Sequence, residues 1–245
     1  MTIASLAMYP FATLRPAYDR FWQGVRARVS FAAPELDWDL PAAEACGRRD
    51  LLLGQTCGWP LVTSLAGLVR VVGTFDCAVD GAVDGTYRSV LISGGPGSLD
   101  DVVRRQGVIV AANSPDSLSG WISLGAVAAD AGVSFDHVLW TGAHVASVQA
   151  VAERRADLAS IDAVTWSHLD EPRVTVVGHG MRVPCLPLVT AASTPPAIID
   201  ELRVALAQTV DDPALGDTCA ALRIRSFVAR DFSDYEPLVV LAQLG

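Results

Sequence analysis

The segment AANSPDSLSGW, residues 111–121, carries the side chains of this chain that are best suited to chemistry. The apolar run at its start predicts a buried strand, and the apolar pattern that follows it predicts a helix. Ser117, Ser119 and Gly120 lie where that helix begins. Because the first turn of a helix leaves backbone N–H groups unpaired and is electropositive, these residues can cradle an anion. The same serines can instead cap the helix, and the segment alone leaves both interpretations open.

Other candidate residues follow the ends of predicted strands, where ligands bind in open α/β sheets. Hydroxyl and aromatic side chains that can donate a hydrogen bond or stack on a ligand recur there. These candidates are Tyr9, Gln55, Thr56, Trp59, His144, Asp162 and Trp166. Tyr87, which begins a long predicted strand, has the same combination of a hydroxyl and an apolar ring. We expect these loops to line one cleft.

Several of these residues have an alternative structural role. Asp162 can accept a hydrogen bond from an amine or hydroxyl of a ligand, or it can cap a predicted helix at residues 163–169. His144 can hold an anion as a neutral donor, or it can be a capping histidine at a helix start. Any one tryptophan can simply pack in the core. Cys57 can be a nucleophile only with a lowered pKa and a nearby base, such as His144; an inert structural cysteine is the alternative.

The composition excludes several functional classes. The 245 residues carry a net charge of −9, and their 18 basic residues are all arginine. An acidic chain without basic runs is a poor nucleic-acid binder, and the absence of lysine excludes a Schiff-base or P-loop lysine. The 5 cysteines and 4 histidines show no metal-ligand spacing, so we expect neither a metal nor a cofactor. We recognise no nucleophile–base pair, and no apolar run is long enough to insert into a membrane.

Predicted strands and helices alternate along the chain, which indicates an α/β fold. The predicted strands include residues 3–8, 51–54, 68–75, 87–93, 107–112, 138–141, 156–161 and 174–179. Residues 12–29 form a predicted helix whose apolar side chains recur at steps of three and four. The predicted helix at residues 143–154 opens with His144, and two helices and an aromatic segment, residues 232–244, end the chain.

The ordered set of motifs resembles the phosphate-, phosphite- and phosphonate-type substrate-binding proteins of ABC importers. The resemblance rests on LLGQTCGWP at residues 52–60, YRSVLIS at 87–93, the Ser-x-Ser-Gly helix start, and TGAHVASVQAVAERRADLASID at 141–162. It also includes residues 98–102 and 183–191, and it extends over residues 2–240. The Cys-Gly-Trp of residues 57–59 departs from the small, hydroxylated or aromatic sequence that is common there.

The resemblance implies a two-lobed type II periplasmic-binding-protein-like fold. Each lobe would be a mixed, mostly parallel sheet flanked by helices, and two crossover strands would join them. Lobe one would comprise residues 1–86 and 188–245, and lobe two residues 87–187, with the ligand cleft between them. In the family, the serine-rich helix start and the following histidine bind the oxyanion. Carried over, these are Ser117, Ser119, Gly120 and His144, while Tyr87 is the hinge aromatic and Asp162 the strand-end acid.

We therefore expect a solute-binding protein without catalytic residues, which closes two lobes over a small anionic ligand resembling phosphonate or phosphate. Its further partner would be the membrane component of an ABC transporter. An enzyme or ligand sensor on the same fold, acting on a small metabolite or heterocyclic precursor, is the alternative. The first residues lack the basic region of a signal peptide. As written, the sequence indicates a cytoplasmic protein; with a leader removed, it indicates a periplasmic one.

Overall fold

The computed structural model describes residues 2–9 and 11–243, which form two compact units. Unit 1 comprises Met1–Ala78, Ala82–Thr86 and Pro184–Pro237; unit 2 comprises Val79–Gly81, Tyr87–Val183 and Leu238–Gly245. Pro10, in the candidate loop after Tyr9, and Leu244, which ends the predicted aromatic segment, lie outside the described residues.

Unit 1 is built on a five-stranded sheet with the strand order β1-β2-β9-β3-β10. Numbered along the chain, its strands are β1 (Ile3–Ser5), β2 (Leu51–Gln55), β3 (Val69–Cys77), β9 (Pro187–Ala191) and β10 (Ile224–Val228). β1 and β2 are parallel, whereas β9 runs antiparallel to both β2 and β3, and β10 runs antiparallel to β3. The α/β class is confirmed. The expectation of a mostly parallel sheet is wrong for unit 1, because β9 lies between β2 and β3 and runs antiparallel to both.

The helices of unit 1 pack through apolar faces. They are α1 (Arg15–Arg26), α2 (Ala42–Cys46), α3 (Gly58–Val62), α8 (Pro196–Val210) and α9 (Gly216–Ala221). α1 buries Tyr18, Phe21, Trp22 and Val25, four of the apolar residues that predicted this helix. It is shorter than predicted, because residues 12–14 form a 3₁₀ turn and the α-helix ends at Arg26.

Unit 2 is built on a second five-stranded sheet, ordered β6-β5-β7-β4-β8. Its strands are β4 (Thr86–Ser93), β5 (Ile109–Ala112), β6 (His137–Trp140), β7 (Leu158–Ile161) and β8 (Thr175–Pro184). β5 is parallel to both β6 and β7, and β4 is antiparallel to β7. The carboxyl ends of β5, β6 and β7 therefore lie at one edge of the sheet, where the loops that follow them meet.

The helices of unit 2 are α4 (Leu99–Val103), α5 (Ser123–Ala131), α6 (His144–Ala152) and α7 (Ala163–Ser167). A π-helical turn at Leu118–Ile122 precedes α5 directly. Leu91 and Leu158 from the sheet pack with Val102 of α4 and Leu124 of α5 in the buried core. The helices thus cover the sheet and hold the loops after its strands in place.

The sequence prediction missed β10, which pairs with the far end of β3. Its sequence, IRSFV, is short and contains two polar residues, so periodicity gives little signal. The strand is held instead by tertiary contacts. The ring of Phe227 packs against Phe75 with a centroid distance of 6.4 Å. A Cβ at Gly73 would lie 2.4 Å from the same Phe227 ring, so only glycine admits this packing.

Candidate functional site

The turn after β5 is organised by Ser117. Its Oγ accepts a hydrogen bond from the N–H of Gly120 at 3.0 Å, which makes Ser117 the cap of the turn. Its carbonyl oxygen accepts from the N–H of Ile122 at 3.0 Å, five residues later. This spacing defines a π-helical turn, a geometry that recurs at functional sites. The capping interpretation of Ser117 is therefore correct, and its hydroxyl proton is left to donate elsewhere.

Ser160 of β7 fastens this turn to the sheet. Its hydroxyl donates to the carbonyl oxygen of Ser119 at 2.6 Å and lies 3.0 Å from Ser123 Oγ. Ser160 is fully buried, and it was not among the predicted site residues. Its contact satisfies the Ser119 carbonyl within the irregular turn, so the turn is held rigidly against the strand.

Ser119 and His144 meet directly. His144 is the first residue of α6, and its Nε2 lies 3.0 Å from Ser119 Oγ. The tautomer of the imidazole ring decides which of the two atoms donates the hydrogen bond. Burial lowers the pKa of His144, while the Asp162 carboxylate and the Ser160 backbone oppose that shift. The imidazole is therefore neutral at neutral pH, as expected for a histidine at a helix N-terminus.

The Ser119–His144 contact joins two separate helix starts. It depends on the parallel pairing of β5 with β6, so the sequence alone does not reveal it.

Gly120 is required by its surroundings. A Cβ at this position would lie 2.0 Å from Asn113 Oδ1 and 2.9 Å from Ser117 Oγ. Any other residue would displace both side chains. The buried Oδ1 of Asn113 has no hydrogen-bond partner among the described residues. Asn113 was not among the predicted site residues.

Tyr87 and Asp162 bind each other within unit 2. The Tyr87 hydroxyl donates to Asp162 Oδ2 at 2.9 Å, and the N–H of Thr165 donates to Asp162 Oδ1 at 2.9 Å. Asp162 therefore caps α7, which ends at Ser167 rather than at residue 169. Both residues are buried. A direct role for either one in ligand binding stays a prediction.

The remaining candidates lie near strand ends in their own units. Trp166 sits half-buried in α7 of unit 2. In unit 1, Gln55 is the last residue of β2. Thr56 follows it and donates its backbone N–H to the carbonyl oxygen of Pro187 at 3.1 Å. Trp59 lies half-buried in α3. Tyr9 is buried in the loop after β1.

No helix in the described part of the chain is long and apolar enough to cross a membrane. Within residues 2–9 and 11–243, no cluster of three or more histidine, cysteine or acidic side chains is arranged to hold a metal ion.

The two α/β units, each a five-stranded sheet flanked by helices, define the class of fold, that of the periplasmic binding proteins. Residues 47–235 match the family described as ABC transporter, phosphonate, periplasmic substrate-binding protein. The chain belongs to this family. Its function is therefore substrate binding for an ABC transporter rather than catalysis, and its partners are a ligand and a membrane transporter component. No curated protein sequence matches the chain significantly.

Solved structures with the same fold share little sequence. The binding component of an ABC phosphonate transporter from Pseudomonas aeruginosa, PA3383, has 16% identity and a TM-score of 0.77, over 99% of this chain and 85% of that one. PhnD1 from Prochlorococcus marinus, in complex with methylphosphonate, has 12% identity and a TM-score of 0.77, over 99% and 97%. XAC2383 from Xanthomonas citri, bound to ATP, has 15% identity and a TM-score of 0.70, over 100% and 96%.

Proposed function

We propose that this chain binds a small oxyanion of the phosphonate or phosphate class at the turn formed by residues 117–120. The observation that carries the proposal is the contact of Ser119 Oγ with His144 Nε2 at 3.0 Å, next to a glycine and a capping serine. Hydroxyl, imidazole and backbone N–H donors converge there at the start of a helix, where negative charge is stabilised. Solved structures of this fold hold ATP, chloride or methylphosphonate, which are all anions, and this supports an anionic ligand for the chain.

We assign selection of the rest of the ligand to the other predicted residues. In unit 2 these are Tyr87, Asp162 and Trp166; in unit 1 they are Tyr9, Gln55, Thr56 and Trp59. Binding by residues of both units requires closure of the two lobes about a hinge. Small-angle X-ray scattering with and without methylphosphonate measures such a change, and an unchanged radius of gyration would argue against it.

We further propose that the chain delivers this ligand to the membrane component of an ABC importer and works outside the cytoplasmic membrane. The family description supports both parts of this proposal. Fractionation of cells that produce the full-length gene product tests its location. Transport of the ligand by cells with and without the gene tests its delivery.

Titration calorimetry and thermal unfolding with methylphosphonate, phosphate, phosphite, sulfate and ATP test the ligand class. A ligand present at 100 times its Kd adds about 2.7 kcal/mol to stability, which raises Tm by roughly 5–10 °C for a chain of this size.

Ser119→Ala and His144→Ala should weaken the binding of the preferred anion about tenfold or more. Ser134→Ala, an exposed serine of the same unit, is the matched control. Unchanged affinity in both site variants would disprove the assignment.

A further inference from the structure

Ser160 contacts the turn formed by residues 117–120 from the side of the sheet. It is the third residue of β7 and is fully buried. Its hydroxyl donates to the carbonyl oxygen of Ser119 at 2.6 Å, a short distance for a hydrogen bond between two oxygens. Its other hydroxyl neighbour, Ser123 Oγ, lies farther away at 3.0 Å. Because a serine hydroxyl has one proton, the proton of Ser160 is directed at the Ser119 carbonyl, the nearer acceptor.

The peptide group between Ser119 and Gly120 transmits this contact. Every peptide bond among the described residues is trans, and the C=O and the N–H of a planar trans peptide point in opposite directions. Because the carbonyl oxygen is held by Ser160, the N–H of Gly120 must point away from Ser160. That N–H donates to Ser117 Oγ at 3.0 Å. Ser160 therefore fixes the direction of the hydrogen bond that Ser117 accepts.

Ser117 is the last member of this series of hydrogen bonds. Its Oγ accepts the N–H of Gly120, and no acceptor for its own proton lies among the described residues. The Ser160 hydroxyl, the peptide N–H and the Ser117 hydroxyl thus donate in one direction. Hydrogen bonds in such a series polarise and strengthen one another. The series ends on a proton that an oxyanion can accept.

We propose that Ser160 is a positioning residue of the oxyanion site, which acts through the Ser119–Gly120 peptide to direct the Ser117 hydroxyl proton toward the ligand. This inference rests on the function proposed above. Ser160 itself does not touch the ligand, because it is fully buried and its proton is already used. Without its hydroxyl the Ser119 carbonyl would lose a partner, and the peptide could turn this electronegative oxygen toward the anion and repel it.

Ser160→Ala tests the inference, because it removes the first donor of the series and leaves in place every group that would touch the ligand. We expect the Kd for methylphosphonate, measured by titration calorimetry, to rise about three- to tenfold, the range for the loss of one neutral hydrogen bond. Ser93→Ala is the matched control. Ser93 is also a buried serine; it pairs with the other end of β7 and accepts the N–H of Gly95 at 3.3 Å. Its replacement should lower Tm and leave Kd unchanged.

A double-mutant cycle with Ser117→Ala distinguishes positioning from general support of the fold. If Ser160 acts through Ser117, Ser160→Ala should raise the Kd of the Ser117→Ala protein less than about twofold, because the proton that it directs is already absent. Effects on Kd that multiply independently would overturn the inference. Ser160→Cys, whose S–H is a weak donor, should behave like Ser160→Ala and replaces it in the cycle if the alanine variant does not fold.

The outcomes separate the two proposals. If wild type binds methylphosphonate and the folded Ser160 variants bind it equally well, the inference is wrong and the proposed function stands. If wild type binds none of methylphosphonate, phosphate and sulfate, the proposed function is wrong, and the inference falls with it. Thermal unfolding without ligand shows that each variant is folded. An equal rise of Kd in Ser93→Ala would also overturn the inference, because the effect would then follow stability rather than position.

Discussion

The hydroxyl of Tyr87 donates to Asp162 Oδ2 at 2.9 Å, so a residue near the start of β4 is hydrogen-bonded to the residue that follows β7. The second carboxylate oxygen of Asp162 accepts the N–H of Thr165. One buried carboxylate thus connects two strands and the cap of α7. These contacts give Asp162 a structural role that is independent of any ligand.

Replacing Asp162 should destabilise the protein more than replacing Tyr87. Asp162→Ala removes both a helix cap and the partner of a buried hydroxyl, which should lower the free energy of unfolding by about 2–4 kcal/mol. Tyr87→Phe removes the hydrogen bond to Asp162 and leaves the cap of α7 in place, so it should cost about 1 kcal/mol. Urea unfolding measures both values. Equal losses in the two variants would show that the cap contributes nothing.

The stability of the protein should depend on pH through His144. Because burial lowers the pKa of His144, the unfolded chain binds a proton more readily than the folded chain. The stabilising contribution is complete above the ordinary histidine pKa and is lost as the pH falls through the lowered value. We expect the free energy of unfolding to decrease from about pH 7 to about pH 5, and to decrease less in His144→Gln. His179→Gln, at an exposed position, is the control; an identical slope in wild type and His144→Gln would refute the prediction.

Ser117→Asp should separate folding from binding. Aspartate is as good a helix cap as serine, so the hydrogen bond from the Gly120 N–H and the thermal stability should persist. A carboxylate at the oxyanion site should nevertheless repel the ligand and remove measurable binding of methylphosphonate. Ser117→Ala should instead lose about 1 kcal/mol of stability with the cap. If Ser117→Asp bound methylphosphonate as tightly as wild type, Ser117 would lie outside the binding site.

Asp76 should stabilise unit 1 mainly through its hydrogen bond and less through its ion pair. Asp76 is buried; its Oδ1 accepts the N–H of Gly85 at 3.0 Å, and its Oδ2 lies 3.0 Å from Arg225 Nη1. The side chain of Arg225 is 49% exposed, so the ion pair should contribute about 0–1 kcal/mol. Asp76→Asn, which retains an acceptor for Gly85, should therefore cost less than Asp76→Ala, which should cost about 1–3 kcal/mol.

Hydrogen exchange at the Gly85 amide checks the prediction for Asp76. Exchange should accelerate in Asp76→Ala and stay slow in Asp76→Asn. Equal acceleration in both variants would mean that the ion pair, rather than the hydrogen bond, protects this amide.

Local signals explain what could be predicted from the sequence. The strands that precede Ser117, His144 and Asp162 are apolar runs, and serine and aspartate at helix starts have a recognisable pattern. The α/β class and the family follow from the order of these units along the chain. The two interpretations of Ser117 were not exclusive, because its oxygen caps the turn while its proton remains available.

Contacts between distant segments explain what could not be predicted. Ser160 has no special sequence context, and its role arises only when β7 and β5 pair in the sheet. β10 lacks a periodic pattern and is specified by the fit of Phe227 against Gly73. The directions of β9 and β10 likewise depend on long connections whose path is not encoded locally, which is why the sheet of unit 1 is more antiparallel than expected.

The central position of β9 in the sheet of unit 1 imposes an order of assembly during synthesis. β2 and β3 each pair with β9 and not with each other, although both are made long before it. The strands of unit 2 lie entirely between residues 86 and 184, so a growing chain contains that whole sheet before β9 leaves the ribosome. β2 and β3 must therefore wait, with apolar residues and unpaired edges exposed, until the chain beyond the strands of unit 2 has been made.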